Sequence, residues 1–362
     1  MYLCSYVVKA CSMQLYFVSL PTQYKRMRFG IIGSGSWATA LAKILTDSQH
    51  PIEWWIRNPD TISYIQRRRH NPHYLHTAYF NTALLNMSSD VAEVIQNADV
   101  IIIAVPSAFV KQTLEGLPRH TFDNKKVISA VKGILPDCNE LVNEFLVNYF
   151  SLDINDYFTI LGPCHAEEVA AEKLSYLTFS GLDQVMCTTI ASYFSNSYLN
   201  TIVNHDVIGV QYAAVLKNIY ALGAGIAHGL EYGDNFLSVY IANCANEMTI
   251  FLKKLVEEHE IPCNQEIINY TSSVYLGDLL VTCYSLYSRN RMFGTMIGKG
   301  YSVKAAQLEL NMVAEGYNAS KCIHHTNTQV NASIPIIDTV YNVLWNHTSA
   351  HEAFKNLENV LV

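Results

Sequence analysis

Arg28-Phe29-Gly30-Ile31-Ile32-Gly33-Ser34-Gly35-Ser36-Trp37-Ala38 is the stretch that decides how this chain folds. A short apolar run, 29–32, has the length and composition of a buried strand. Gly33-Ser34-Gly35-Ser36-Trp37-Ala38 then fits G-x-G-x-x-G/A, and a helical pattern carrying Leu41, Ile44 and Leu45 follows. Strand, glycine turn and helix in that order form the context of a dinucleotide-binding turn. Gly33 permits the tight turn, Gly35 lets backbone approach a pyrophosphate, and the small Ala38 lets helix pack closely on strand. The free N–H groups and positive dipole end of the helix then face the phosphates.

The same rhythm continues outward. Apolar runs at 53–56, 100–105, 127–131 and 158–161 read as further buried strands, with Val91, Val94 and Ile95 at helical spacing between two of them. Strand–helix alternation predicts βαβ units and a parallel, doubly wound sheet of the Rossmann type, covered on both faces. After about Asp206 strand signals fade. Residues 207–230 read as one long buried helix, and 250–259 and 303–310 also read helical. The expected division is therefore 27–205 for the α/β domain and 206–362 for an all-α domain. Residues 1–26 are apolar and aromatic but lack the cationic start of a signal peptide, and Met27 directly precedes the first strand. They are expected to be a non-native or disordered extension.

Composition narrows the function. With 362 residues and 50% hydrophobic content the chain can build two cores. A net charge of -7 argues against general nucleic-acid binding, which needs a basic surface. Nine cysteines, odd in number and with no CxxC pair, suit a reducing, cytoplasmic compartment better than a disulfide framework, and suggest no metal site. No apolar run approaches the ~20 residues that span a bilayer.

Few residues are charged, so lysines in apolar surroundings stand out. Lys132 ends a predicted strand, where ligand crevices open, and Lys217 interrupts the long buried helix. A lysine whose pKa is lowered by burial or by a second cation can donate and accept a proton near neutrality; the alternative for Lys217 is a snorkelling surface residue. Arg289 and Asn290 offer a guanidinium fork and an amide to a phosphate, or else form a solvated basic loop. Asp278 suits a lysine ammonium, a substrate hydroxyl or a helix N-cap. At the end of the second strand no acidic residue is well placed for a ribose 2′-hydroxyl. Arg57 there suits a 2′-phosphate or is simply solvated, so NAD and NADP both stay open.

Taken together, the blocks at 33–41 (GSGSWATAL), 129–134 (SAVKGI), 161–169 (LGPCHAEEV), 206–211 (DVIGVQ), 216–226 (LKNIYALGAGI), 232–235 (YGDN), 277–290 (GDLLVTCYSLYSRN), 298–300 and 313–316 (VAEG) resemble the bacterial NAD(P)-dependent glycerol-3-phosphate dehydrogenases from Met27 almost to the C-terminus. The resemblance implies interconversion of dihydroxyacetone phosphate and glycerol 3-phosphate, the latter for phospholipid synthesis, by a cytoplasmic homodimer without a membrane span. It casts Lys217 as the proton acceptor, and Lys132, Gly162, Cys164, Asp278, Ser288, Arg289 and Asn290 as substrate contacts. Gly33, Gly35, Ser36, Trp37, Arg57, Asn58, Tyr74, Ala166, Val313 and Glu315 become cofactor contacts, joined by Lys132 and Arg289.

This sequence departs from the family pattern at Ala38, at Cys164 (usually Ser or Thr), at Asn243-Cys244 (usually Arg-Gly) and in a lengthened segment between Glu247 and Gly277. There Val274-Tyr275-Leu276 replaces a glycine-rich approach to Asp278. Another Rossmann-plus-helical dehydrogenase, acting on a hydroxy acid, is the enzymatic alternative. A non-catalytic nucleotide sensor is the alternative of another class.

Overall fold

The structure is a computed structural model that describes residues 27–258, 268–310 and 314–362. The extension expected at 1–26 and the cofactor contact expected at Val313 lie outside the described residues.

The strands are β1 (Phe29–Ile32), β2 (Ile52–Trp55), β3 (Leu85–Ser88), β4 (Val100–Ile103), β5 (Lys126–Ser129), β6 (Tyr157–Leu161), β7 (Ser175–Gly181) and β8 (Leu199–Asn204). They form one sheet in the order β3-β2-β1-β4-β5-β6-β7-β8. Helices α1 (Ser36–Asp47), α2 (Pro59–Arg68), α3 (Val91–Asn97), α4 (Ser107–Leu114), α5 (Val142–Phe150), α6 (Ala166–Ala170) and α7 (Gln184–Ser192) connect them. β1 and β4 are buried along their whole length, as central strands covered on both faces must be. The chain runs from β1 outward through β2 and β3, then returns to β4 on the other side. Such a reversal leaves a crevice at the carboxyl ends of β1 and β4.

The five strands expected from apolar runs are present, shifted by a residue or two. The sheet is not wholly parallel, however: β7 pairs antiparallel with β6. β3, β7 and β8 were not anticipated, because LNMS and LNTIVN are polar, part-exposed strands and β7 mixes Ser, Thr and Gly into its run.

The second half is helical: α8 (Val207–Gly229), α9 (Asp234–Glu258), α10 (Asp278–Tyr284), α11 (Arg289–Gly298), α12 (Val303–Leu310), α13 (Glu315–Val330), α14 (Pro335–Trp345) and α15 (Ala350–Leu357). The helix expected at 250–259 is the end of the longer α9. α8 is the axis of this domain and is buried almost throughout. By length and composition α8 is apolar enough to cross a membrane, which corrects the expectation that no segment is, but its most apolar window is 94% buried inside the protein.

α11 lies directly on α8 because glycines remove the side chains between them. A Cβ at Gly225 would strike the carbonyl of Arg291, and one at Gly294 the carbonyl of Leu222. Two of the departures also find physical roles. Asn243 exchanges hydrogen bonds with Val362, accepting its N–H at 3.2 Å and donating to its carbonyl at 2.8 Å. Val274 and Tyr275 are buried in a π-helical turn, Ser273–Gly277, that delivers Asp278. The Tyr275 hydroxyl donates to Asp206, and Asp206 caps the start of α8 through the Gly209 N–H at 2.7 Å.

Candidate active site

The carboxyl ends of β1 and β4 open into a cleft of about 460 Å³ that runs between the sheet and the helical domain. Gly35, Ser36, Trp37, Tyr74, Lys132, Cys164, Ala166, Lys217, Asp278, Ser288, Arg289, Asn290 and Glu315 all line it. Sequence separations of up to a few hundred residues are thereby closed around one cavity.

Its cofactor end is built on the glycine turn. Gly33 has φ +128°, and a Cβ there would sit 2.6 Å from the Ala104 carbonyl at the end of β4. Only glycine tolerates that conformation and that neighbour together. Beside Gly35 there is open space, and no side chain caps the first turn of α1. Uncapped N–H groups facing an open crevice fit a pyrophosphate, so the turn is suited to a dinucleotide. Asn71, which sequence reasoning missed, stiffens this region. Fully buried, it donates to the Ser34 carbonyl at 3.1 Å and to the Thr39 hydroxyl at 3.0 Å. It also accepts from the N–H groups of His73 and Tyr74, so one side chain ties the glycine turn to the Tyr74 turn.

The reactive end is a cluster of buried charge. Lys217 and Asp278 are 3% and 1% exposed, and the Lys217 ammonium pairs with Oδ1 of Asp278. Lys132 approaches Oδ2 of the same carboxylate at 3.9 Å and the Gly162 carbonyl at 3.4 Å. Burial lowers the Lys217 pKa most. The Asp278 charge works against that, and the Lys132 charge adds to it, leaving a value of about 7. An amine in that range holds or releases a proton near neutral pH. Oδ2 of Asp278 is buried and accepts no hydrogen bond among the described residues, an unsatisfied acceptor in a residue that lines the cleft.

Asn218, also missed, orders the cluster. Its side chain donates to the Lys132 carbonyl at 2.8 Å and accepts from Asn290 at 2.9 Å, and Asn290 in turn accepts the Gly316 N–H at 2.9 Å. Asn290 therefore lines the cleft with its carbonyl and one amide hydrogen engaged by protein, which leaves the second amide hydrogen as a donor. Ser288 caps α11 by accepting the Arg291 N–H at 3.3 Å, which leaves its own hydroxyl hydrogen free to donate. Arg289 is half-buried and forms no ion pair among the described residues, so its guanidinium is available to an anion. Glu315 accepts from the Ser107 N–H at 3.0 Å and the Ser107 hydroxyl at 2.5 Å, which bridges the two domains. Burial raises the Glu315 pKa, and those bonds and the Arg289 charge oppose the shift.

Four expected contacts do not line the cleft. Gly33 lies behind the turn, where its carbonyl accepts the Trp54 indole N–H at 2.7 Å. Gly162 reaches the site only through its carbonyl. Arg57 and Asn58 are exposed at the end of β2, and Asn58 caps α2 through the Asp60 N–H at 2.9 Å. Cys164 is buried, and burial raises its thiol pKa to about 12, so it meets a ligand as a weak neutral donor.

Comparison with known proteins agrees with this geometry. The N-terminal family model, NAD-dependent glycerol-3-phosphate dehydrogenase N-terminus, matches residues 28–187, and the corresponding C-terminus model matches residues 206–355. The glycerol-3-phosphate dehydrogenase [NAD(P)+] of Thermoanaerobacter sp. is 31% identical over 91% of this chain and 96% of its own. That of Lacticaseibacillus paracasei is 30% identical over 91% and 94%. The crystal structure of glycerol-3-phosphate dehydrogenase from Coxiella burnetii superposes with a TM-score of 0.82 at 26% identity, covering 91% of this chain and 98% of that one. The chain belongs to the NAD-dependent glycerol-3-phosphate dehydrogenase family.

Proposed function

We propose that this protein is an NAD(P)-dependent oxidoreductase that interconverts dihydroxyacetone phosphate and glycerol 3-phosphate, with Lys217 as its proton-transfer group. One observation carries the reading: a buried lysine poised near neutrality shares a carboxylate with a second lysine, in a cleft that also holds an unpaired arginine and an uncapped glycine turn.

In the reductive direction Arg289 grips the phosphate. Lys217, as ammonium, donates a hydrogen bond to the C2 carbonyl oxygen, and Asp278 holds that ammonium in place. The nicotinamide, when bound, supplies the hydride to C2. As charge grows on the oxygen Lys217 gives up its proton, and the fixed charge of Lys132 stabilises the developing alkoxide. In the oxidative direction the neutral amine of Lys217 takes the proton back. Asp278 Oδ2 suits the substrate's C1 hydroxyl. The phosphate and the bare C2–C1 alcohol favour this substrate over a hydroxy acid, whose carboxylate would need a second cationic grip.

NADPH is proposed to serve alongside NADH. Arg57 is exposed and unpaired among the described residues at the end of β2, and the carboxylate on that strand, Glu53, accepts from Asn86 at 3.0 Å. The proposed setting is cytoplasmic, as a homodimer supplying glycerol 3-phosphate to lipid synthesis, with the domain division at 205/206. The decisive experiment is to follow reduced-cofactor absorbance on adding dihydroxyacetone phosphate, with NADH and NADPH in parallel. Wild type should consume the cofactor, and Lys217→Ala should lose kcat by orders of magnitude while still binding it. No consumption with either cofactor would overturn the activity. A near-native Lys217→Ala would overturn the assignment of the proton-transfer group.

A further inference from the structure

Lys132 carries the second positive charge of the site, yet its ammonium is loosely held. The contacts to the Gly162 carbonyl, at 3.4 Å, and to Asp278, at 3.9 Å, are both longer than a good charged hydrogen bond. Asn218 fixes the backbone of Lys132, not its side chain. A four-carbon stem leaves an ammonium free to swing unless something else confines it.

What lies against it is the indole of Trp37, with Lys132 Nζ 5.5 Å from the ring centroid. That is within the range at which a cation is attracted to an aromatic face, and indole is the ring that attracts it most. The indole N–H is itself buried with no acceptor among the described residues. A phenylalanine would fill apolar space there without stranding a donor. An indole at this position is thus better explained by its face than by its packing volume.

We propose that Trp37 is a positioning residue for the proton-transfer cluster: its ring holds the Lys132 ammonium beside Asp278 and so fixes the second positive charge that Lys217 feels. Trp37 is also the second residue of α1, on the turn suited to the pyrophosphate. One side chain therefore joins the cofactor turn to the lysine pair.

The inference rests on the glycerol 3-phosphate activity proposed above, and a double-mutant cycle separates the two. Wild type, Trp37→Leu, Lys132→Met and the double variant are assayed as full chains for glycerol 3-phosphate oxidation, each at saturating cofactor and across pH. With Lys132 present, Trp37→Leu should lower kcat/KM for glycerol 3-phosphate by about 2- to 30-fold, the range of a cation–π contact. It should also move the acid limb of the profile to higher pH, since Lys217 then feels less positive charge. With Lys132→Met already in place, Trp37→Leu should lower it no further.

Trp37→Phe, which keeps a weaker aromatic face, should fall between wild type and Trp37→Leu. If the leucine variant does not fold, the phenylalanine variant carries the same cycle. Losses that simply add, with an unmoved pH limb, would overturn the inference, as would a loss confined to the KM for the cofactor. An inactive wild type would overturn the activity, and the inference with it.

Discussion

Replacing Lys132 by methionine removes one of two ammonium groups from the carboxylate of Asp278 and keeps a side chain of similar length. Lys217 sits on Oδ1 and Lys132 approaches Oδ2, so the two charges lie across a single carboxylate, on the order of 5 Å apart. At an effective dielectric of about 20 their repulsion is about 3 kcal/mol, or about 2 pKa units. The Lys132 side chain is 22% exposed, and solvent screening reduces this to about one unit. Lys217, now at about 7, should therefore move up towards about 8 in Lys132→Met.

The sign is opposite to that expected from losing a hydrogen-bond partner. It makes Lys217 a stronger base but leaves less of it neutral at pH 7. In glycerol 3-phosphate oxidation the acid limb of kcat/KM should move up by about one unit. In dihydroxyacetone phosphate reduction activity should persist to correspondingly higher pH. Both profiles are measured as initial rates of cofactor absorbance at saturating cofactor. A fall in kcat/KM with both limbs unmoved would mean that Lys132 contacts substrate but does not tune Lys217, and the electrostatic reasoning would fail.

Arg289→Ala should raise the KM for dihydroxyacetone phosphate about 10- to 100-fold, since a charged hydrogen bond contributes about 1.5–3 kcal/mol; an unchanged KM in steady-state assays would remove Arg289 from the phosphate site. Gly294→Ala places a Cβ against the Leu222 carbonyl and should destabilise the fold by about 1–3 kcal/mol, with α11 pushed off α8; a thermal midpoint equal to wild type would show that the two helices part without penalty. Glu247 is buried and accepts the N–H groups of Ile336 and Ile337 at 2.7 and 3.2 Å, and burial raises its pKa to about 8. A raised carboxyl favours the folded state at low pH and loses that contribution as pH rises from about 4.5 through 8. Denaturant titrations of wild type minus Glu247→Gln should therefore show a difference that falls across that window, and a flat difference would contradict it.

The glycine turn, the central strands and the two lysines were legible in the sequence because each breaks a pattern on its own. Gly33 and Gly35 interrupt an apolar strand-to-helix passage, and Lys217 is a lone cation in a long apolar helix. The edge strands β3 and β8 were not legible. They are polar and half-exposed, and only their place in the sheet makes them strands. Asn71 and Asn218 escaped for a related reason. A short amide has no periodic signature, and its worth lies in which backbone groups the fold brings within its reach. Asn290 was read as a phosphate donor from its type and Ser288 from the resemblance; in the folded chain Ser288 accepts the Arg291 N–H and Asn290 bridges Asn218 and Gly316, which leaves each one polar hydrogen to donate.

That last point bears on how the substrate is gripped. In the proposed mode of binding Ser288 and Asn290 join Arg289 at the phosphate, and the placement of all three depends on where the first turn of α11 begins. The bond from Asn290 to Asn218 pins that turn to the residue beside Lys217. The close approach at Gly225 and Gly294 sets the distance between the helix axes. In the proposed mechanism the backbones that carry the proton-transfer amine and the phosphate grip are thus spaced by helix packing and one amide–amide bond. A backbone spacing fixed in that way leaves only the side-chain stems to adapt to a three-carbon phosphate ester. It also explains why the residues that set the geometry are glycines and asparagines with no reactive chemistry of their own.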